Sequence, residues 1–203
     1  MTASFPEIIL ASASPRRADL LRQIGLPFSL QPSSLGDDGE SALEGEPPEL
    51  TATRLAEAKA REVAARVGRG LVIGADTVVL CDGRLLGKPR DPAEARAYLL
   101  RLAGRTHWVI TAVAVVEAET GRSAVATSTT AVRMWPFDAA EAARYVATGE
   151  PLDKAGAYGI QGRGALLVEA IEGDYFTVVG LPLVLLARLL RGFGVDPWGA
   201  ADR

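Results

Sequence analysis

Arg16 and Arg17 stand where a helix is set to begin. They follow the apolar run Ile8-Ile9-Leu10 and the small-residue turn Ala11-Ser12-Ala13-Ser14. Ser14 suits an N-cap, Pro15 suits the first helical position, and Leu20, Leu21 and Ile24 repeat on one face. The first turn of a helix already carries the positive end of its dipole and several unpaired N–H groups. Each added cation there costs roughly 0.3–1 kcal/mol, so an anion is expected at this turn, and phosphate is the commonest one of suitable shape. The alternative is a pair of solvated surface arginines. Of the 22 basic residues, nineteen are arginine and three are lysine: Lys59, Lys88 and Lys154. A chain that writes its positive charges as arginine has reason to keep lysine where a compact ammonium with rotatable donors is needed. With Arg16 and Arg17, the three lysines could surround a triphosphate; with so few lysines, chance is the other reading.

The acids and one amide supply the rest of the chemistry. Asp76 falls at the end of a predicted buried strand, Leu71-Val72-Ile73, with Gly74, Ala75 and Thr77 around it. Strand ends line the ligand crevice of open α/β sheets, and small neighbours let a ligand approach; a turn-forming carboxylate is the alternative. Beside phosphates, Asp76 could hold a divalent cation, take a proton from water, or both. With one cysteine and one histidine in the chain, the cation expected is a hard one, Mg²⁺ or Mn²⁺. Asp37 and Asp38 are further candidates for metal or water, against a reading as solvated loop acids. Asp153 could pair with Lys154 or a nearby backbone group. Gln161 carries an amide that donates and accepts at once, which complements O4 and N3–H of uracil or thymine. Tyr158 reads as core.

Elements that position these groups are expected in the following order. After the first strand and helix, residues 31–50 form a long polar, acidic loop; residues 51–67 form a helix capped by Thr51; and Asp82-Gly83 turns a hairpin between Val78–Cys81 and Arg84–Leu86. Asp91 with Glu94, and Asp138 with Glu141, open two further helices as capping boxes. Residues 107–116 and 123–134 are β-branched runs that form an antiparallel pair, and 150–164 is a glycine-rich loop. Strands follow near 165–171 and 175–179, then a leucine-rich helix from Pro182 and a frayed polar tail, 195–203. Strands joined partly by hairpins and partly by helices imply an α/β fold with a mixed twisted sheet flanked by helices. Residues 1–194 are read as a single domain, with room for two lobes.

Bulk properties narrow the function. The chain has 203 residues, 48% hydrophobic and 23% charged, enough to bury a full core. A net charge of -3 and a pI near 5.3 argue against nucleic-acid or anionic-membrane partners. Cys81 has apolar neighbours and reads as core, and His107, the single histidine, excludes a multi-His zinc site. The first residues lack the basic and apolar blocks of a signal peptide, and Val178–Leu190 is too short and interrupted to span a bilayer. A cytoplasmic protein is expected.

Read together, "ILASASPRRADLL", "IGADTVV", "GKPRD", "GRTHWVITAV", "EPLDKAGAYGIQGRGALLVEAIEGDY" and "VVGLPL" resemble the Maf family of nucleoside triphosphate pyrophosphatases, in order from residue 7 to residue 193. The resemblance implies a fold akin to the inosine-triphosphate pyrophosphatases with a central cleft, a homodimer, and metal-dependent cleavage of the α–β phosphoanhydride. It implies Asp76 as proton acceptor, Arg16, Thr77 and Gln161 as setting base preference, and Ser14, Arg17, Lys59 and Lys88 as holding phosphates. The segment "DKAGAYGIQG" is similar to the branch that prefers dTTP and UTP rather than 7-methyl-GTP. The family usually has an acidic pair after the first helix–strand unit; the register here departs from it with Gly36-Asp37-Asp38, and Asp37 is the metal candidate beside Asp76 that this departure bears on. A nucleotide-binding regulator of septum formation without turnover is the competing expectation, and a γ-phosphate phosphatase or kinase is a second.

Overall fold

The computed structural model describes residues 6–35 and 45–200. The chain runs β1 (Ile8–Leu10), α1 (Pro15–Gln23), β2 (Ser29–Leu30), α2 (Pro48–Val67), β3 (Leu71–Cys81) and β4 (Arg84–Leu86). It continues through α3 (Pro92–Leu102), β5 (Thr106–Glu117), β6 (Ser123–Met134), α4 (Ala139–Val146), β7 (Val168–Glu172), α5 (Tyr175–Val179) and α6 (Leu183–Gly192). The strands make one seven-stranded mixed sheet in the order β2-β1-β3-β5-β6-β7, with β4 also on β3. β2, β1 and β3 are parallel to one another, whereas β3, β5, β6 and β7 pair antiparallel. This is the α/β architecture the sequence implied.

The feature that makes a site is a gap in the sheet. β5 pairs with β3 from Leu71 to Leu80 along one edge, so β1 and β4 share the other edge. β1 takes only Leu71–Ile73 and β4 only Val79–Cys81. Residues 74–78 of β3 therefore face an opening between two strands, with Asp76 and Thr77 at its centre. Helices close both faces. Ala52, Ala56, Ala60 and Val63 of α2 pack on Val72, Ile110 and Ala112; α1 and α6 cover the opposite face through Leu20, Leu21, Leu186 and Leu190. α3 and α4 bury Leu99, Leu102 and Tyr145 with Leu86 and Met134 beyond the gap.

Several expectations need correction. Asp76 does not end a strand: β3 continues through Gly74-Ala75-Asp76-Thr77, because β5 supplies an unbroken partner. The small residues serve helix packing instead, since a Cβ on Gly74 would lie 2.3 Å from the Ala56 carbonyl oxygen of α2. α2 begins at Pro48 rather than Thr51, whose hydroxyl bonds Glu46 and the Pro47 carbonyl within the first turn. Residues 175–179 are helical despite their β-branched content, because the Asp174 carboxylate caps the N–H groups of Phe176 and Thr177. Residues 162–167 form a 3₁₀ turn before β7. The tail does not fray at 195: Val195 is buried with α6, and Pro197–Ala200 form a 3₁₀ turn. The Asp138/Glu141 capping box, the Asp82-Gly83 hairpin and the β5–β6 pair stand where the sequence put them, whereas Asp91 caps the Glu94 N–H without the reciprocal bond, because the Glu94 carboxylate accepts from the Arg90 N–H instead.

Candidate active site

The floor of the opening is an ion pair. Lys59 reaches from α2 so that its Nζ lies 2.7 Å from Asp76 Oδ1. The two side chains are only 4% and 7% exposed. Their approach depends on the alanine seam of α2 against Gly74, which brings the helix backbone onto the strand. Lys59 is thus set behind the cleft wall and acts on the carboxylate, while Asp76 itself lines the cleft. One turn earlier on α2, Arg54 donates to both oxygens of the buried Glu46 carboxylate at 2.9 and 2.7 Å. That carboxylate, and more remotely Asp76, hold the Arg54 guanidinium above its usual value. Glu46 and Arg54 were not anticipated from the sequence; the signal available was an arginine five residues before a lysine on one helix.

A cavity of about 280 Å³ lies over this floor. The N-terminus of α1 contributes Ser14, Arg16 and Arg17; the segment after β4 contributes Lys88; the glycine-rich loop contributes Asp153, Lys154, Tyr158 and Gln161. Ser14 has the extended backbone of an N-cap but makes no side-chain cap bond. Its capping role is corrected, and it stands at the cleft wall. Arg16 forms an ion pair with Asp153 at 3.4 Å, and Lys154 holds the other Asp153 oxygen at 2.6 Å. Burial works to raise the Asp153 carboxyl, but Lys154 and Arg16 outweigh it and keep it below the ordinary value. Arg17 is buried: Nε donates to the Gly180 carbonyl at 2.8 Å, Nη1 to Ser12 Oγ at 3.0 Å and Nη2 to Thr77 Oγ1 at 3.3 Å.

The loop that carries Gln161 is organised by two residues the sequence reading passed over. The Glu150 carboxylate accepts from Tyr145 Oη at 2.9 Å and from the N–H groups of Arg163 and Gly164 at 3.0 Å each. Burial opposes its charge, yet these bonds outweigh it and lower the carboxyl below its usual value. Tyr145 Oη in turn accepts from Gly159 N–H at 3.2 Å. Under the loop, Tyr158 and His107 share a 2.7 Å hydrogen bond, and burial brings the His107 imidazole down to about 4, so it is neutral at pH 7. Tyr158 and Cys81 are core, as expected.

The cleft therefore gathers Ser14, Arg16, Arg17, Asp76, Thr77, Lys88, Asp153, Lys154 and Gln161, drawn from four separated segments. Asp37 and Asp38 lie outside the described residues. Among the described residues no three His, Cys, Asp or Glu side chains converge as a metal cage. The Asp76 carboxylate on the floor of a phosphate-sized cleft does fit a hard cation brought largely by its substrate, since Mg²⁺ commonly takes one or two carboxylates with phosphate oxygens and water.

A mixed sheet split over a cleft, with acidic, basic and amide side chains converging on it from four segments, defines an α/β protein with a built site on this face. The sequence profile of the Maf-like protein family matches residues 7–193, and the chain belongs to that family. Proteins named dTTP/UTP pyrophosphatase are similar over nearly their whole length. The one from Moorella thermoacetica is 57% identical over 193 residues, 95% of this chain and 98% of that one. Those from Symbiobacterium thermophilum and Bacillus pumilus are 48% and 45% identical, covering 93% and 95% of this chain and 94% and 99% of theirs.

Proposed function

We propose that this protein hydrolyses dTTP and UTP between the α- and β-phosphates, releasing the nucleoside monophosphate and pyrophosphate and so policing the nucleotide pool. The observation that carries the reading is the buried Lys59–Asp76 pair at the floor of a cleft lined by Arg16, Arg17 and Lys88. The relatives' shared name supports it.

In this reading Asp76 orients a water molecule and takes its proton as the water attacks the α-phosphorus. The Lys59 ammonium, 2.7 Å from Oδ1, pairs with the carboxylate and orients it toward the cleft. Arg16, Lys88 and the α1 N-terminus with Ser14 hold the phosphate chain, and Arg17 braces this wall through Gly180 and Thr77. Groups fixed in place before reaction stabilise the charge that grows on leaving pyrophosphate. A bound Mg²⁺ or Mn²⁺, held by Asp76 and substrate oxygens with Asp37 as a further candidate ligand, would screen the phosphates and polarise the α-phosphoryl group. Arg16, Thr77 and Gln161 read the base, and Lys154 with Asp153 steadies Arg16.

The same reading takes residues 1–194 as one catalytic domain, acting as a cytoplasmic homodimer with neither nucleic acid nor membrane as partner. The net charge of -3 supports the first exclusion, and no described helix is long and apolar enough to cross a membrane. Chromatography of products from UTP with Mg²⁺ is the test. UMP with pyrophosphate is expected; UDP with phosphate, or no turnover of any pyrimidine triphosphate, would contradict it.

A further inference from the structure

A hydroxyl has one proton to give and two lone pairs to fill, and in a buried chain of hydroxyls that arithmetic fixes direction. Thr111 of β5 lies opposite Thr77 of β3 in the sheet register and is fully buried. Its Oγ1 is 2.7 Å from the carbonyl oxygen of Thr177, which can only accept, so the Thr111 proton is committed there. The Thr177 carbonyl is held in place by the α5 cap, where Asp174 accepts from the Thr177 N–H at 2.9 Å. The 2.9 Å contact between the hydroxyls of Thr111 and Thr77 then has one sense: Thr77 donates and Thr111 accepts. Arg17 Nη2, which can only donate, takes one lone pair of the same Thr77 oxygen at 3.3 Å. What Thr77 has left to show the cleft is one lone pair and no proton.

We infer that Thr111 is a positioning residue that makes the Thr77 hydroxyl acceptor-only, so that the cleft at this point selects a nucleotide group that donates a hydrogen bond. Among pyrimidines that group is N3–H of uracil and thymine; cytosine presents a bare acceptor at the same atom. Two acceptors facing one another leave both unpaired, which a closed site tolerates poorly. Thr77 accepts from N3–H, and the Gln161 amide is left to donate to O4. The inference rests on the reading of Thr77 as a base-selecting residue. Thr111 enters through the sheet rather than the cleft, which is why its place in "THWVITAV" gave no hint of it.

The test is the ratio of kcat/KM for UTP to that for CTP, measured with Mg²⁺ on the full chain. Thr111→Val and Thr111→Ala free the Thr77 proton to turn into the cleft, and each is expected to lower the ratio about tenfold or more. Thr111→Ser keeps a hydroxyl and is expected to keep the ratio. In a Thr77→Val background, Thr111→Val is expected to add nothing, because it acts through the hydroxyl already removed. A loss of all activities in parallel with the ratio unchanged would mark a merely structural role and overturn the proposal. If Thr77→Val shifts the ratio and Thr111→Val does not, the proposal alone falls. If neither shifts it, the reading of Thr77 falls and takes the proposal with it. Should Thr111→Val and Thr111→Ala not fold, Thr111→Cys decides, because it keeps the side chain's size and offers only a weak thiol donor and acceptor. A lowered ratio supports the proposal, and an unchanged ratio in a folded Thr111→Cys enzyme overturns it.

Discussion

The floor and the rim of the cleft hold their charges by opposite means. On the floor, Lys59 and Asp76 are almost wholly buried and are fixed by the packing of α2 on β3 through Gly74 and the alanine seam. On the rim, Asp153 is 64% exposed and pairs with Arg16 of α1 at 3.4 Å, Lys154 donates to the Glu150 carbonyl at 2.6 Å, and the exposed Gln161 stands in a loop of 3₁₀ turns gathered by Glu150. A floor set by packing holds one geometry for every substrate. A rim set by exposed polar contacts can be altered one residue at a time, which suits a surface that distinguishes one base from another. Substitutions in the floor should therefore lower turnover of all nucleotides together, and substitutions in the rim should change their ranking.

The largest expected effect is that of Asp76→Asn, which keeps the shape of the side chain and removes its capacity to take a proton. Turnover of UTP should fall by about 10²–10⁴, with UTP binding by equilibrium dialysis retained and the ranking of nucleotides unchanged. Near-normal single-turnover hydrolysis would break the comparison at its root.

Next comes Gly74→Ala. The new methyl would meet the Ala56 backbone oxygen at 2.3 Å and Ala60 Cβ at 2.9 Å, so α2 must move away from β3. Overpacking of this kind costs about 1–3 kcal/mol, and the Lys59–Asp76 bond should lengthen with it. Urea unfolding and kcat on UTP and dTTP read both effects; full stability with full activity would show that packing does not set the floor.

A smaller effect concerns the layer beneath the rim. The folded His107 imidazole sits near 4 against an ordinary 6.5 because it is buried. Between those values the unfolded chain takes up a proton that the folded chain refuses. Stability should thus fall as pH drops from about 6.5 towards 4, by up to about 1.4 kcal/mol for each pH unit. His107→Gln should flatten the change in Tm between pH 6.5 and 5, whatever its Tm at pH 7, and an unchanged slope would remove His107 from the account. The smallest effect is on Gln161→Ala: stability within about 0.5 kcal/mol of the parent, and relative rates on dTTP, UTP, CTP and GTP drawn together. Unchanged relative rates would deny the rim its role.

Local signals were legible in the sequence, and long-range ones were not. Pro15 after Ser14, the Asp91 N-cap, the Asp138/Glu141 box and the Asp82-Gly83 turn act within four residues, and all appear where they were read. The scarcity of lysine was also informative: Lys88 and Lys154 line the cleft and Lys59 lies under it. By contrast, nothing local says that β3 runs on through Asp76, because its continuity comes from β5, more than thirty residues away in the chain. The helix at 175–179 depends on one capping carboxylate against a β-prone composition. Glu150 and Thr111 act through backbone groups and hydroxyls that tertiary folding brings to them. Their roles follow from partners, which spacing does not encode.

The central claim is that water attacks the α-phosphorus beside Asp76, and hydrolysis of UTP in H₂¹⁸O tests it most directly. The account predicts one ¹⁸O in UMP and none in pyrophosphate when the products are resolved by ³¹P NMR or mass spectrometry. Label in the pyrophosphate, or its appearance in inorganic phosphate beside UDP, would contradict it.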